Sequence, residues 1–174
     1  MKNGLWQDGC VRAAAIAAFA LGASFGAAAA DGSAKGALTY KSKGAPVTIA
    51  VKHVWLVKGP DAVDPKKIIR HLIFSAVDIG SKVAACKTMS CTDADLGSGL
   101  TVDLDAGARL NYWVVLDDQR VQYSGTARPE ALKLTVDTPG RLAGKLTIDD
   151  AAAGGPKIDV EFDTPLLREL KSAR

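Results

Sequence analysis

From residue 47 onward the chain alternates. Val47, Ile49, Val51, His53, Trp55 and Val57 fall on one face of an extended segment, and Thr48, Ala50, Lys52, Val54, Leu56 and Lys58 fall on the other. A period of two is the signature of a strand with one buried face. The pattern returns at Leu100, Val102 and Leu104, at Leu110, Tyr112, Val114 and Leu116, and at Val121 and Tyr123. It returns again at Leu132, Leu134 and Val136, at Leu142, Leu146 and Ile148, and at Ile158, Val160 and Phe162. Residues 68–75 form a further apolar stretch. Gly59-Pro60-Asp61, Asp64-Pro65-Lys66-Lys67, Asp117-Asp118 and Thr138-Pro139-Gly140-Arg141 punctuate the runs. Pro139 and Gly140 at the central positions predict a type II turn, because proline presets φ and glycine tolerates φ > 0. No long helical period separates these segments, which argues against a parallel α/β sheet. The expected fold is all-β: an antiparallel immunoglobulin-like β-sandwich of seven to eight strands, with a closed barrel as the alternative.

The alternation lapses over residues 77–98, which hold Cys86 and Cys91. This segment reads as an ordered loop with a short helical turn around Gly80–Ala85. The expected organisation is residues 1–30 as a signal peptide, 31–36 as a flexible lead-in, 37–166 as the β-domain and 167–174 as a C-terminal tail of frayed helix. Pro165 is expected to end the last strand.

The first thirty residues argue for export. Lys2 and Arg12 flank a polar start, residues 13–30 are almost all Ala, Ile, Phe, Leu and Gly, and Ala28-Ala29-Ala30 precedes Asp31. A positive start, an apolar centre and an A-x-A site make a secretory signal peptide. Retention of the segment as an anchor is the alternative. Cys10 lies before the apolar run, whereas a lipidated cysteine would follow it. Gly22-Ala23-Ser24-Phe25-Gly26 matches G-x-S-x-G, but that motif needs a strand, a sharp turn and a helix around the serine. Removing residues 1–30 from 174 leaves 144, an ordinary single-domain size. The formal charge of +3 then falls to +2, since Lys2, Arg12 and Asp8 leave together. Basic and acidic residues are interleaved, so no nucleic-acid stripe is expected. After Ala30 no apolar run approaches the roughly 20 residues of a membrane helix.

Cys86 and Cys91 are then a pairable two, enclosing Lys87-Thr88-Met89-Ser90. In an oxidising compartment the simplest reading is a disulfide. The alternative is a copper site: Cys86, Met89 and Cys91 offer soft sulfur ligands, which select Cu(I), and His53 or His71 could add a fourth. His53, between Val51 and Trp55, reads as a packed core histidine; His71 reads as a surface or edge residue. Asp93, Asp95, Asp103 and Asp105 form an acidic cluster. An EF-hand would need Gly and Glu where Ser98 and Leu104 stand, so these carboxylates read as solvated faces and turns, with a looser Ca²⁺ site as the alternative. The segment from Gly140 to Thr147 fails as a phosphate loop, because Leu146 follows Lys145 where Ser or Thr is required. Tyr112 and Trp113 are adjacent and so point to opposite faces. If Trp113 is the surface residue, it is a candidate binding platform.

The run Arg141-Leu142-Ala143-Gly144-Lys145-Leu146 and the closing Asp159-Val160-Glu161-Phe162-Asp163-Thr164-Pro165 resemble a loose set of small secreted bacterial β-sandwich proteins of unknown function. The likeness covers the last third of the chain. It implies a bacterial envelope setting and the fold, and no catalytic residue. The reading is therefore an exported periplasmic domain with a non-catalytic binding or envelope-structural role, no cofactor, and an envelope protein or small ligand as partner. The alternatives are a copper-binding accessory protein and an enzyme built from loop carboxylates and His53.

Overall fold

The computed structural model describes residues 32–41, 44–117 and 120–174. The proposed leader, Cys10, the G-x-S-x-G match and Asp118 of the expected 117–118 turn lie outside the described residues. The chain is all-β and antiparallel in its main pairings. Its strands are β1 (Gly32–Tyr40), β2 (Val47–Pro60), β3 (Ile68–Ser75), β4 (Gly99–Leu104), β5 (Leu110–Leu116), β6 (Arg120–Ala127), β7 (Leu132–Thr138), β8 (Arg141–Asp149) and β9 (Lys157–Glu169). A six-residue helix, α1 (Gly80–Ala85), and a 3-10 turn, Met89–Cys91, lie between β3 and β4.

The strands form one sheet in the order β6-β5-β4-β3-β2-β1-β9-β8-β7. In place of two separate layers, this single sheet curls into a half-barrel and packs one wall on the other. Contacts across the concave side show the curl. Phe74 on β3 meets Phe162 on β9 edge to face at 5.5 Å. Tyr40 on β1 donates its hydroxyl to the carbonyl of Gln122 on β6 at 3.1 Å. Tyr112 on β5 donates to Asp150 beyond β8. Burial and then this hydrogen bond raise the Tyr112 phenol above its ordinary pKa. The concave face carries the main core, including Leu38, Leu56, Leu72, Phe74, Leu146 and Val160.

Among the described residues nine strands replace the seven to eight expected, and the extra one begins at the supposed lead-in. Residues 32–36 belong to β1, which pairs with β2 on one side and β9 on the other. Its sequence is poor in large apolar residues because neighbouring backbone comes too close. A Cβ at Gly36, where φ is +150°, would lie 2.1 Å from the Asp159 carbonyl oxygen. At the other end, β9 runs through Pro165 to Glu169 instead of fraying into a helix. Its pairing with β1 stops at Asp163, so Pro165 sits where that side of the ladder has lapsed. Leu166, Arg168 and Glu169 then run parallel to Leu56, Val57 and Lys58 of β2.

The faces of β2 also differ from strict alternation. Ile49 and Val51 point into the main core, but so do Val54 and Leu56, while Trp55 and Val57 belong to a second core. The β1–β2 register slips between Ser33 and Gly36. At this slip β2 changes face, Val51 and Val54 both pointing inward across three positions. The Thr138–Arg141 hairpin forms without the expected type II turn: Gly140 is not among the positive-φ residues that such a turn requires. The Thr138 hydroxyl donates to the Arg141 carbonyl at 3.1 Å instead.

The second core lies on the convex side of β2–β5. Trp55, Val57, Ile69, Ile73 and Val115 are covered by Ile79 just before α1 and Val83 within it, by Met89 and Leu96, and by Leu170 near the C-terminus. Residues 76–98 thus form a flap over half of the outer surface. Fully burying each such side chain contributes about 1.5–3 kcal/mol, which is what holds an irregular segment down.

Candidate functional site

His71 is the polar centre beneath the flap. It sits on β3 between Val57 of β2 and Asp103 of β4, on the same outward face as Ile69 and Ile73. It is only 5% exposed. Its Nδ1 lies 2.5 Å from Asp103 Oδ1, and its Nε2 lies 2.7 Å from Asp93 Oδ1, which belongs to the flap. Ionised carboxylates only accept hydrogen bonds, so both ring nitrogens donate and the ring is an imidazolium. Burial by itself lowers the histidine pKa. The charge of Asp93 and the hydrogen bonds to Asp103 and Asp93 outweigh it, and the pKa is pushed up to about 10. Next to this trio the Thr92 hydroxyl donates to the Met89 carbonyl at 2.7 Å.

The surface or edge position expected for His71 is therefore corrected. Flanking β2 and β4 cover both of its sides and the flap covers its top. The acidic cluster also separates. Asp93 and Asp103 converge on His71, Asp95 pairs with Lys82 at 2.9 Å, and Asp105 pairs with Arg70. Asp103, 14% exposed at its side chain, is not the solvated residue that alternation implied. A signal for this centre was present in the sequence. Val54-Trp55-Leu56-Val57 and Leu72-Ile73-Phe74 are continuous apolar runs, the mark of strands buried on both faces. A histidine adjoining such a run faces protein on either side.

Cys86 and Cys91 lie at disulfide distance, 2.10 Å between sulfurs and 5.5 Å between Cα atoms. They close a ring within the flap. Met89 belongs to that ring but points down: its Sδ would be 2.6 Å from a Cβ on Gly59. His53 stands six positions from Gly59 on the same strand, roughly 20 Å away in extended geometry. It is half-buried and stacks on Trp55 at 5.9 Å. The structure thus brings the two cysteines together and places Met89 and His53 apart. Among the described residues no three His, Cys, Asp or Glu side chains form a group able to hold a metal ion. The buried Trp55 Nε1–H has no protein partner and lies against Gly80, the first residue of α1.

At one end of the half-barrel, Arg70 on the concave side joins both walls. Its Nε lies 2.6 Å from Asp105 Oδ2 and its Nη2 lies 3.1 Å from Asp105 Oδ1, and Nη1 holds Asp137 of β7. The hydrogen bond to Asp105 leads the causes that raise the guanidinium pKa further. Asp105 adopts φ +69°, the left-handed region that aspartate tolerates better than most residues. A depression of about 310 Å³ next to this strut is lined by Lys58, Ile68, Thr138 and Pro139 among others.

Among the described residues nothing covers the other half of the convex side, β1-β9-β8-β7. Lys145 pairs with Asp159 at 2.7 Å, Arg141 with Asp163 at 2.5 Å, and Lys157 with Asp149 at 3.6 Å. A shallow groove of about 570 Å³ runs over it between Lys35, Lys133, Lys145 and Glu161. Trp113 lies on the outer face of β5, half-buried, opposite Thr101 and Ser124.

Chemically, a ring whose two nitrogens both donate to carboxylates has no lone pair to act as base. It also holds its proton across the neutral range. The trio is a fastener between sheet and flap. Among the described residues no helix is long and apolar enough to cross a membrane. No family model, curated protein or solved structure matches this chain.

Proposed function

We propose that this protein is an exported domain of the bacterial envelope with a non-catalytic binding or structural role. The observation that carries this reading is the use of its reactive side chains. His71 is held by Asp93 and Asp103, and Cys86 is held by Cys91, so each has a partner inside the fold. Two features support export. The chain begins with a basic, then apolar, then A-x-A segment before Asp31, and a cysteine pair at disulfide distance persists in oxidising compartments. The fold serves such a role as a framework. Two walls face each other across one core, as the layers of an immunoglobulin-like sandwich would, and the edges β6 and β7 and the uncovered convex half present surface to a partner. The resemblance of the last third to small secreted bacterial β-sandwich proteins points the same way.

The test is recovery of the full-length gene product from osmotic-shock fluid of a bacterial host, followed by intact mass. The expected species starts at Asp31 and has no free thiol. A product that keeps residues 1–30 and stays in the cytosol overturns the export reading. The non-catalytic part is tested with a hydrolase and transferase substrate panel. A turnover that His71→Gln abolishes while the fold persists overturns it.

A further inference from the structure

We infer that the Cys86–Cys91 pair is a redox clasp on the C-terminal end of the chain. The ring it closes holds that end directly. Met89 N–H donates to the Ser172 carbonyl and Ser90 N–H to the Ala173 carbonyl, each at 3.0 Å. The Met89 side chain fills the space over Gly59, where Leu170 also arrives, its N–H donating to the Lys58 carbonyl at 2.7 Å. Three consecutive ring residues, Met89, Ser90 and Cys91, therefore form a 3-10 turn whose shape sets where residues 170–173 lie.

Access is one-sided. Cys86 is 5% exposed, whereas Cys91 is half-buried and so the more accessible of the two. The reductant this geometry fits is a dithiol. Its thiolate attacks Cys91 Sγ, the Sγ–Sγ bond breaks, and Cys86 leaves as a thiolate and takes up a proton. The second thiol of the reductant then displaces Cys91 from the mixed disulfide, and Cys91 also ends as a thiol. The protein gains two electrons and two protons, and the dithiol becomes a disulfide.

Opening stays local because a separate fastener begins two residues later. Asp93 grips His71, and α1 keeps Ile79 and Val83 in the second core. Reduction frees the turn and the chain end while the rest of the flap remains docked.

Hydrogen exchange of the full chain, oxidised and then reduced with dithiothreitol, tests this, with the Cys86→Ser, Cys91→Ser double variant as a second route to the open ring. Closing a six-residue ring restricts the open state by about 40-fold in the chain-entropy view, so exchange at Met89, Ser90 and Leu170 should rise by roughly that factor. Exchange at Val114 and Ile158, in the main core, should not change. Equal exchange in the two redox states, a uniform rise across the whole sheet, or a pair that dithiothreitol cannot reduce in the folded protein each overturns the clasp.

Discussion

The convex side of one sheet is built in two ways. Over β2–β5 it is apolar and roofed by the flap, with His71 and Asp103 covered beneath it and Asp93 gripping the ring from the flap's exposed side. Over β1-β9-β8-β7 no described residue covers it, and it is laced with ion pairs. Both halves share the same concave core. The difference lies in the outward-facing residues: Trp55, Val57, Ile69 and Ile73 on one half, Asp159, Glu161, Asp163 and Lys145 on the other. Burying a salt bridge makes it costly to break, and leaving it in water makes it nearly neutral. The same pairing chemistry should therefore matter under the flap and matter little on the open half.

The largest expected effect breaks that contrast at its centre. His71→Ala leaves the covered Asp103 carboxylate without its cation, and removing one partner of a buried ion pair costs about 3–5 kcal/mol. Urea unfolding of the variant should show a midpoint far below wild type. A near-wild-type midpoint would mean that the trio is no more than surface decoration. Next, Gly80→Ala forces a Cβ to within 2.6 Å of Trp55 Nε1 and lifts α1 from the second core. Overpacking of this kind costs about 1–3 kcal/mol, readable as a lowered thermal midpoint.

The pH dependence sharpens the comparison further. The folded His71 pKa of about 10 lies above the ordinary 6.5, so folding favours the protonated ring. Its stabilisation is fully present below pH 6.5, declines above it, and is gone once the pH has risen through about 10. Unfolding free energy measured between pH 6 and 10 should fall in wild type and stay flatter in His71→Gln. A wild-type profile that is flat over this range would contradict the buried imidazolium. The smallest effect belongs to the bare half. Lys145→Ala removes contacts to Asp159 and Glu161 that water screens, and its midpoint should match wild type once salt is added. A clear loss at high salt would show that the open face is not simply solvated.

Much of the fold was legible in sequence. The alternating runs at 100–104, 110–116 and 158–162 each became a strand with the expected inward set, and the lapse over 77–98 became the flap with its helical turn at Gly80–Ala85. The misreadings share one cause. Alternation reports which residues lie on one face and carries no information on whether the other face is wet. Continuous runs in β2 and β3 signalled a second covered face and placed His71 inside it. β1 was invisible for the opposite reason: Gly32 and Gly36 are required by close backbone approach, which leaves no hydrophobic pattern to see.

The sequence by itself determined strand-forming segments, the proximity of two cysteines five positions apart, and the all-β class, because each depends on neighbours within a few residues. Only the tertiary structure decided that one sheet curls over itself, and that β9 reaches back past β1 to β2. It alone brought Asp93 and Asp103 to the buried His71, and Arg70 to Asp137 across the half-barrel. Those arrangements join residues separated by 10 to 111 positions. They follow from how the curl and the β1–β2 bulge aim each face, which no local pattern encodes.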